Sequence, residues 1–371
     1  MASAPTLLSD EQRLAWLRLI RSENVGPVTF RELVNHFGSA SAAIEAVPAL
    51  ARRGGRQVRL CSVADAEREL ATAAAFGARM VALGEPDYPP WLRSIDGAPP
   101  LITVKGAGEC LQRPGIAVVG ARNASVAGRK LAAQIAVVLG NAGFAVVSGL
   151  ARGIDAAAHA GALATGTMAI YAGGLDRPYP PENVPLAERI ATEGSVLVSE
   201  MPMGWEPRAR DFPRRNRLIS GIAMAVVVVE AALRSGSLIT ARLAAEQGRL
   251  VFAVPGSPLD PRAGGTNQLI RDGAIIVTAV EDIIAEVQPM LENPLPPPAA
   301  PAHEDGNEAA YDADDSERGR ILEALGKTPV EVDEIIRFTG LRAGIVRLVL
   351  LELDLAGRLE HHAGGRVSLI D

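Results

Sequence analysis

Residues 115–129 read GIAVVGARNASVAGR, and the order of features in this segment indicates the class of the central domain. An apolar run, Ile116–Val119, leads into a glycine-containing turn, and a helical pattern follows. This order is typical of α/β domains in which the turn faces a ligand. Further apolar runs alternate with helical stretches along the chain: Ala145–Val147, Met168–Tyr171, Ser195–Val198, Ala225–Val229, Leu250–Val254 and Ala274–Val277. Strands that are apolar throughout predict an extended Rossmann-like domain, over residues 81–290, with a parallel-rich sheet covered on both faces.

The residues before this domain, 1–80, predict a small helical domain. Apolar side chains at helical spacing occur between Glu11 and Ile20, a turn follows at Gly26-Pro27, and a second helical pattern ends near Phe37. Helix, glycine turn and helix are similar to SAM and helix-hairpin-helix modules, in which hairpin amides meet a DNA phosphate. A plain helical hairpin packed on its neighbour is the alternative, and the short motif leaves both open.

Two further segments follow the central domain. Residues 291–315 are rich in proline and alanine and then acidic, which predicts a flexible linker. Within residues 316–371 we expect helices at Arg320–Leu325, Val332–Phe338 and Ala343–Leu355, and then a β-hairpin. Three helices and a hairpin predict a winged helix. Its acidic and basic residues nearly balance, which disfavours DNA binding, and protein contact or regulation is the alternative role.

Composition excludes several classes of protein. The net charge is −6, and the acidic linker accounts for the negative balance, so a basic binding face elsewhere is compatible with it. Two cysteines, Cys61 and Cys110, do not suffice for a disulfide framework, which fits a reducing cytoplasm. We read no signal peptide at the N-terminus. Residues 131–151 lack charge, but Gly140-Asn141-Ala142-Gly143 divides them, so we expect helix, turn and strand rather than a membrane span.

Two loops that follow predicted strands have the composition of phosphate-binding turns. Residues 120–128 contain Gly120 and Arg122, and residues 148–155 contain Ser148, Gly149, Arg152, Gly153 and Asp155. Glycines permit close backbone approach, the next helix offers free amides, and an arginine suits a phosphate. The first loop matches neither the dinucleotide GxGxxG nor the P-loop pattern. A strand-to-helix turn without a ligand is the alternative for the first loop.

Three later segments extend the same edge of the predicted sheet. Residues 208–217 hold five arginines and one aspartate beside Phe212, a combination that suits phosphate pairing and base stacking on single-stranded nucleic acid. A solvated charged loop is the alternative. Residues 230–240 offer hydroxyl and amide donors at a helix start. The third segment comprises two glycine-containing loops, residues 255–257 and 264–267, which would extend the same edge. Because the carboxyl ends of parallel strands share one edge, we expect these loops to form one rim.

Sequence motifs that could indicate catalysis are weaker than the motifs that indicate phosphate binding. Asp155 and His159 would share a helix face and could act as an acid–base pair. In the simpler interpretation, Asp155 orients an arginine or caps the helix, and His159 is a structural side chain whose hydrogen bonds are satisfied. The five histidines are scattered, no Cys cluster indicates a metal site, and no GxSxG nucleophile turn is present. We therefore expect neither catalysis nor a metal or cofactor.

Six strings carry a resemblance to a known family. They are VGAR at residues 119–122, SGLARGIDAAAH at 148–159, FPRRNRLISG at 212–221, VVVEAALRSGSLITARLAAEQGR at 227–249, VFAVPG at 251–256 and GGTNQLIRDGA at 264–274. Together they resemble the DNA-processing protein A family (DprA, also called Smf), densely over residues 85–285. The flanking helical and winged-helix domains are similar to those of the longer family members.

The resemblance implies a function without catalysis. Members of this family bind single-stranded DNA, form homodimers and help to load the RecA recombinase onto incoming strands during natural transformation. The DNA site implied by the matching motifs, with Phe212 beside them, comprises Gly120, Arg122, Ser148, Gly149, Arg152, Gly153, Asp155, Phe212, Arg215, Asn216, Arg217, Ser235, Gly236, Ser237 and Thr240.

The alternative function is a nucleotide-binding protein or nucleoside-phosphate hydrolase of the lysine-decarboxylase-like Rossmann group. Proteins of that group look similar in topology and carry a PGGxGTxxE motif. Here Gly264-Gly265-Thr266-Asn267 lacks the second glycine spacing and the glutamate. Glu200 or Glu230 would have to serve as the acid.

Overall fold

The computed structural model describes residues 7–292, 313–362 and 364–370, and these form two compact units. One unit contains Leu7 and residues 69–292. The other contains residues 8–68 and 313–370. The predicted linker, residues 291–315, lies mainly outside the described residues.

The N-terminal segment is helical, as the sequence predicts. Its helices are α1 Asp10–Ile20, α2 Pro27–Phe37, α3 Ala40–Arg53 and α4 Val63–Ala75. Helix α1 begins with a capping box, in which the Ser9 hydroxyl accepts from the Gln12 amide at 3.2 Å and the Gln12 side chain accepts from the Ser9 amide at 2.9 Å. Helix α2 has Pro27 in its first turn and ends at Gly38, whose φ of 77° suits glycine.

A nine-stranded sheet forms the centre of the larger unit. Its strands are β1 Arg79–Ala82, β2 Leu101–Gly106, β3 Gly115–Val119, β4 Ala145–Ser148, β5 Thr167–Ile170, β6 Val196–Ser199, β7 Ala223–Val228, β8 Leu250–Ala253 and β9 Ile275–Ile276. Their order is β1-β2-β6-β5-β4-β3-β7-β8-β9. Strands β3 to β9 pair in parallel, whereas β2 is antiparallel to both β6 and β1. The predicted parallel-rich sheet is confirmed, and β1 is a strand that the sequence analysis missed.

Helices cover both faces of this sheet. They are α5 Val126–Asn141, α6 Ile154–Ala162, α7 Val184–Thr192, α8 Asp211–Ile222, α9 Ser237–Glu246, α10 Gly264–Arg271 and α11 Val280–Glu292. Helices α5, α6 and α11 share one buried core with alternate strand residues such as Val118 and Val227, whereas α8 and α9 share the other with Val119 and Val228. The helix after β3 and the helix after β7 thus lie on opposite faces, which makes the β3–β7 boundary the point where the topology reverses.

The charge-free segment 131–151 consists of most of α5, a turn and β4, as expected. Across the described parts of the chain, no helix is long and apolar enough to cross a membrane.

The C-terminal segment is the predicted winged helix. Its elements are α12 Asp315–Ala324, β10 Val330–Glu331, α13 Val332–Thr339, α14 Ala343–Leu355, β11 Leu359–His362 and β12 Arg366–Leu369, with the strands in the antiparallel order β10-β12-β11. Ile321, Ile335, Val349 and Leu353 pack together in its core.

The third helix of the winged helix also packs on the N-terminal helices of the same unit. Helix α14 contacts α2 and α3. The Asn24 side-chain amide donates to the Leu355 carbonyl at 2.9 Å, and the Thr29 hydroxyl donates to the Asp354 carboxylate at 2.6 Å.

Candidate nucleic-acid interface

A basic cavity of about 660 Å³ lies where the loops after β3 and β4 meet. We call it the arginine cavity, and its lining residues are Arg122, Asn123, Arg129, Arg152, Gly153, Ala156, Ala157 and Asn183. Three of these residues are arginines and none is acidic among the described residues that line it. Arg152 also forms an exposed ion pair with Glu182 at 3.5 Å, so the charge around the cavity is mainly, not uniformly, positive. A concave surface with an excess of positive charge is suited to a phosphate-rich ligand.

The first loop is held so that Arg122 projects from it. The Ser125 hydroxyl accepts from the Gly128 amide at 2.8 Å and thereby caps α5. A Cβ on Gly120 would lie 2.7 Å from Ile154 Cγ1 and 2.9 Å from the Glu230 carbonyl oxygen. Glycine is therefore needed at position 120, because the loop packs closely against the Ile154 side chain and the Glu230 backbone.

Aromatic rings lie beside Arg122. Its guanidinium is 5.2 Å from the centre of the Phe212 ring, and Phe212 meets Tyr179 edge to face with 5.4 Å between ring centres. Tyr179 is 47% exposed, so its ring is accessible to a ligand. Arginine beside accessible aromatic rings can bind a phosphate and stack on an unpaired base.

The second loop is shaped by Asp155. Its buried carboxylate accepts from the amides of Gly149 at 3.1 Å and Ala151 at 3.4 Å. Burial raises the pKa of Asp155 despite the nearby Arg215. Leu150 has a φ of 56°, a conformation that costs energy for a residue with a side chain and that the surrounding contacts maintain.

His159 does not form an acid–base pair with Asp155. Its Nδ1 lies 2.7 Å from the Thr167 hydroxyl, and its side chain is buried. Burial lowers the pKa of His159 to about 3, so the imidazole is neutral at physiological pH. The simpler interpretation, a structural histidine whose hydrogen bonds are satisfied, fits at Nδ1. At Nε2 it does not, because that atom is buried and has no hydrogen-bond partner among the described residues.

Arg215 lies under the second loop and does not line the arginine cavity. One of its terminal nitrogens donates to the carbonyls of Gly149 and Ile170, each at 2.6 Å. Burial lowers its pKa to about 10, which leaves the guanidinium charged at neutral pH. A Cβ on Gly149 would lie 2.4 Å from this guanidinium, which explains the glycine at that position.

Asn216 and the serine-rich loop continue the same network. The Asn216 side chain accepts from Arg215 Nε at 3.3 Å and donates to the Gly236 carbonyl at 3.3 Å. The hydroxyls of Ser235 and Ser237 lie 2.8 Å apart. Two more of the predicted hydroxyl residues are buried, Thr240 beside this loop and Ser148, which donates to the Val118 carbonyl at 2.7 Å.

Arg217 and Arg214 both form ion pairs with buried Glu200. Arg217 also donates to the Gly97 carbonyl at 2.7 Å, and its side chain is 18% exposed. Neither arginine lines the arginine cavity. Glu200, one acid considered for a hydrolase, is therefore held between two guanidinium groups.

The structure brings together only part of the predicted rim. Of the residues proposed from sequence, Arg122, Arg152 and Gly153 line the arginine cavity, and Phe212 lies beside Arg122. The sequence analysis missed four residues with polar or aromatic side chains at this site: Asn123, Arg129, Tyr179 and Asn183. It also missed two alanines of the lining, Ala156 and Ala157. Tyr179 and Asn183 follow β5 in a proline-rich loop. Applying the strand-end rule to that loop as well would have identified them.

A second, smaller cavity lies on the other side of β3. We call it the β3–β7 crevice, and its volume is about 180 Å³. Its lining residues are Ala127, Gly128, Leu131, Val229, Glu230, Val254, Pro255, Gly256, Ser257, Asp260, Arg262, Ala263 and Thr266. The predicted single rim is thus divided, since the loops after β7 and β8 line the small crevice.

The described residues contain no group of three or more His, Cys, Asp or Glu side chains that could hold a metal ion.

Comparison with protein-family models gives three matches along the chain. Residues 79–288 match the model described as DNA recombination-mediator protein A. Residues 10–72 match a DprA-like N-terminal HHH domain, and residues 295–365 match the DprA winged helix domain.

Curated relatives carry the names protein Smf or DNA processing protein DprA. Protein Smf of Escherichia coli is 39% identical over 76% of this chain and 75% of its own length. Protein Smf of Synechocystis is 32% identical over 97% of this chain and 99% of its own. The DNA processing protein DprA of Streptococcus pneumoniae is 45% identical over 54% of this chain and 72% of its own.

Solved structures agree with these matches. The X-ray structure of DprA from Streptococcus pneumoniae covers 76% of this chain and 99% of its own, with 33% identity and a TM-score of 0.62. A structure of the Helicobacter pylori protein, described for its single-stranded DNA binding mode, covers 57% of this chain and 96% of its own, with 26% identity and a TM-score of 0.53. This chain therefore belongs to the DprA/Smf family of DNA recombination-mediator proteins.

Proposed function

We propose that this protein binds single-stranded DNA in the arginine cavity and assists loading of the RecA recombinase during DNA uptake and recombination. The observation that carries the proposal is the set of three arginines in a cavity whose described lining residues include no acid, next to Phe212 and Tyr179. The single-stranded DNA binding described for the Helicobacter pylori relative supports the same ligand.

The proposed contacts fall into two groups. Arg122, Arg129 and Arg152 would bind successive phosphates, because Arg122 and Arg152 line the cavity from the two loops and Arg129 lines it from the first turn of α5. Phe212 and Tyr179 would stack on unpaired bases, which a duplex keeps within its own stack. The contacts are to phosphates and base faces, so we expect little sequence preference.

The other residues that the family motifs implied would act by holding these loops. Arg215 and Asp155 fix the second loop through its backbone, and Asn216 connects α8 to residue 236. No chemical step is required of any of these residues, and we propose that the protein is not an enzyme.

We also propose that the protein acts as a homodimer in the cytoplasm. The family membership supports this proposal, and the two free cysteines, Cys61 and Cys110, suit a reducing compartment. Light scattering would test the dimer. A strand-exchange assay with RecA, with and without this protein, would test recombinase loading.

Fluorescence anisotropy of a labelled oligo-dT strand, with unlabelled duplex as competitor, tests DNA binding. We expect tight binding that weakens as salt rises and that duplex displaces poorly. Absence of binding at low salt, or equal competition by duplex, would contradict the proposal.

A further inference from the structure

Glu230 occupies the position at which an open α/β sheet usually receives its ligand. The residue follows β7, and its side chain reaches the start of α5, which follows β3. Helices after these two strands lie on opposite faces, so the crevice between them is the expected ligand position for the fold.

The Glu230 carboxylate takes up hydrogen-bond donors that a phosphate would use. One oxygen accepts from the Ser125 amide at 2.9 Å, and the other accepts a short hydrogen bond from the Ser125 hydroxyl. Its main-chain carbonyl accepts from the Ala121 amide at 2.7 Å. Both the backbone and the side chain of Glu230 are therefore bonded to the loop that would otherwise surround an anion.

Gly128 provides the space for this carboxylate. A Cβ at position 128 would lie 2.4 to 2.8 Å from the three carboxyl atoms of Glu230. The glutamate thus lies directly against the first turn of α5, where the helix dipole stabilises negative charge.

The remaining space in the β3–β7 crevice disfavours a nucleotide. Its volume of about 180 Å³ is below the roughly 300 Å³ at which ligand pockets usually begin. Arg262 is the one arginine among the described residues that line it. Its guanidinium is bonded to both carboxylate oxygens of Asp260, at 3.0 and 2.9 Å. Its charge is therefore already balanced, and Glu230 adds a further negative charge.

We propose that Glu230 is a specificity-determining residue: its carboxylate acts as an internal anion that closes the β3–β7 crevice to phosphate groups, including those of free nucleotides. Phosphate binding is then confined to the arginine cavity on the other side of β3. This inference rests on the proposed function, because it explains why a Rossmann-like domain would select a DNA strand over a mononucleotide.

The test compares phosphate binding by the full-length protein and by three variants. The probes are inorganic phosphate and thymidine monophosphate, and isothermal titration calorimetry measures their binding. Glu230→Ala removes both the charge and the bulk, and we expect a new site with affinity about tenfold or more above any wild-type binding in the crevice. Glu230→Gln keeps the bulk, and we expect it to gain little.

A double variant identifies where any gained site lies. Glu230→Ala combined with Gly128→Val refills the space that the carboxylate vacates, while the arginine cavity keeps its lining residues. We expect the gained phosphate site to disappear in this double variant. Thermal melting of each variant confirms that it is folded.

Two outcomes would overturn the inference. The first is a folded Glu230→Ala protein that binds phosphate no better than the wild type. The second is a gained site that survives in the double variant, since that site would lie elsewhere. Oligo-dT binding by the wild type is measured separately, so failure of the proposed DNA function is recorded independently of this result.

Discussion

The two cavities on either side of β3 differ in charge and in what holds their residues. On the β4 side, three arginines line an open space of about 660 Å³. On the β7 side, Glu230 and the Asp260–Arg262 pair line a space of about 180 Å³. Both cavities lie at carboxyl ends of parallel strands, so topology alone does not determine where a ligand binds. The difference comes from which side chains are already bonded within the protein.

The same distinction separates the arginines of the chain. Within the described residues, Arg122 and Arg129 form no ion pair, and Arg152 forms an exposed one with Glu182 at 3.5 Å. In contrast, Arg215 is buried under backbone carbonyls and Arg217 is paired with buried Glu200. We therefore expect removal of Arg215 to affect folding most, removal of the cavity arginines to affect DNA binding most, and removal of Arg217 to have a small effect on binding.

Arg215→Ala should cause the largest change in stability. The substitution leaves two buried carbonyls, those of Gly149 and Ile170, without their donor and removes the positive charge near Asp155. We expect the free energy of unfolding to fall by about 3–5 kcal/mol, measured by thermal or urea denaturation. Arg214→Ala, half-exposed and one residue earlier, is the matched control and should cost less than about 1 kcal/mol. If the free energy of unfolding fell by the same small amount in both variants, the hydrogen bonds of Arg215 would not stabilise the fold.

The double variant Arg122→Ala and Arg129→Ala should show the largest loss of DNA affinity. A charge-assisted contact contributes about 1.5–3 kcal/mol, so we expect oligo-dT binding to weaken about a hundredfold or more at matched salt. The control variant, Arg189→Ala with Arg242→Ala, removes two exposed arginines outside the cavity. Its net charge therefore equals that of the cavity double variant. If both double variants lose affinity equally, binding depends on overall charge rather than on this cavity.

Phe212→Ala should weaken binding of single strands about tenfold, because stacking of one base contributes about 1–3 kcal/mol. Any weak duplex binding should change little, and anisotropy with both ligands measures the difference. Phe338→Ala removes a phenyl ring that is 74% exposed in the winged helix and serves as the control. A parallel loss of single-strand and duplex binding would argue against stacking.

Arg217→Ala should have the smallest effect on DNA binding, less than about threefold, because Glu200 and the Gly97 carbonyl already use its guanidinium. The measurement is oligo-dT anisotropy beside the single variant Arg122→Ala. A loss as large as that of Arg122→Ala would place Arg217 in direct contact with DNA.

Much of the fold could be predicted from the sequence, because parallel strands buried on both faces are apolar throughout. Ile116–Val119 and Ala225–Val229 are such strands, and the helices between them carry clear apolar stripes. Strand β1 was harder to identify. It is four residues long, begins with Arg79 and lies at the sheet edge directly after a helical segment.

The sequence predicted where the candidate site lies better than it predicted which residues form it. Glycine turns after strands indicate the loops around Arg122 and Arg152, but sequence does not distinguish an exposed arginine from a buried one within the same charged run. Most of the run 208–217 belongs to helix α8. Arg215 lies on the buried face of this helix, whereas Arg214 is half-exposed. Only the three-dimensional position of Gly149 and Ile170 shows why Arg215 is buried.

The salt dependence of oligo-dT affinity tests the central claim most directly. Each phosphate neutralised on a single strand contributes about −0.7 to the slope of log K against log salt. If Arg122, Arg129 and Arg152 each bind one phosphate, the wild-type slope should be about −2.1 and that of the Arg122→Ala, Arg129→Ala variant about −0.7. A variant whose slope equals that of the wild type would show that the DNA backbone binds outside the arginine cavity.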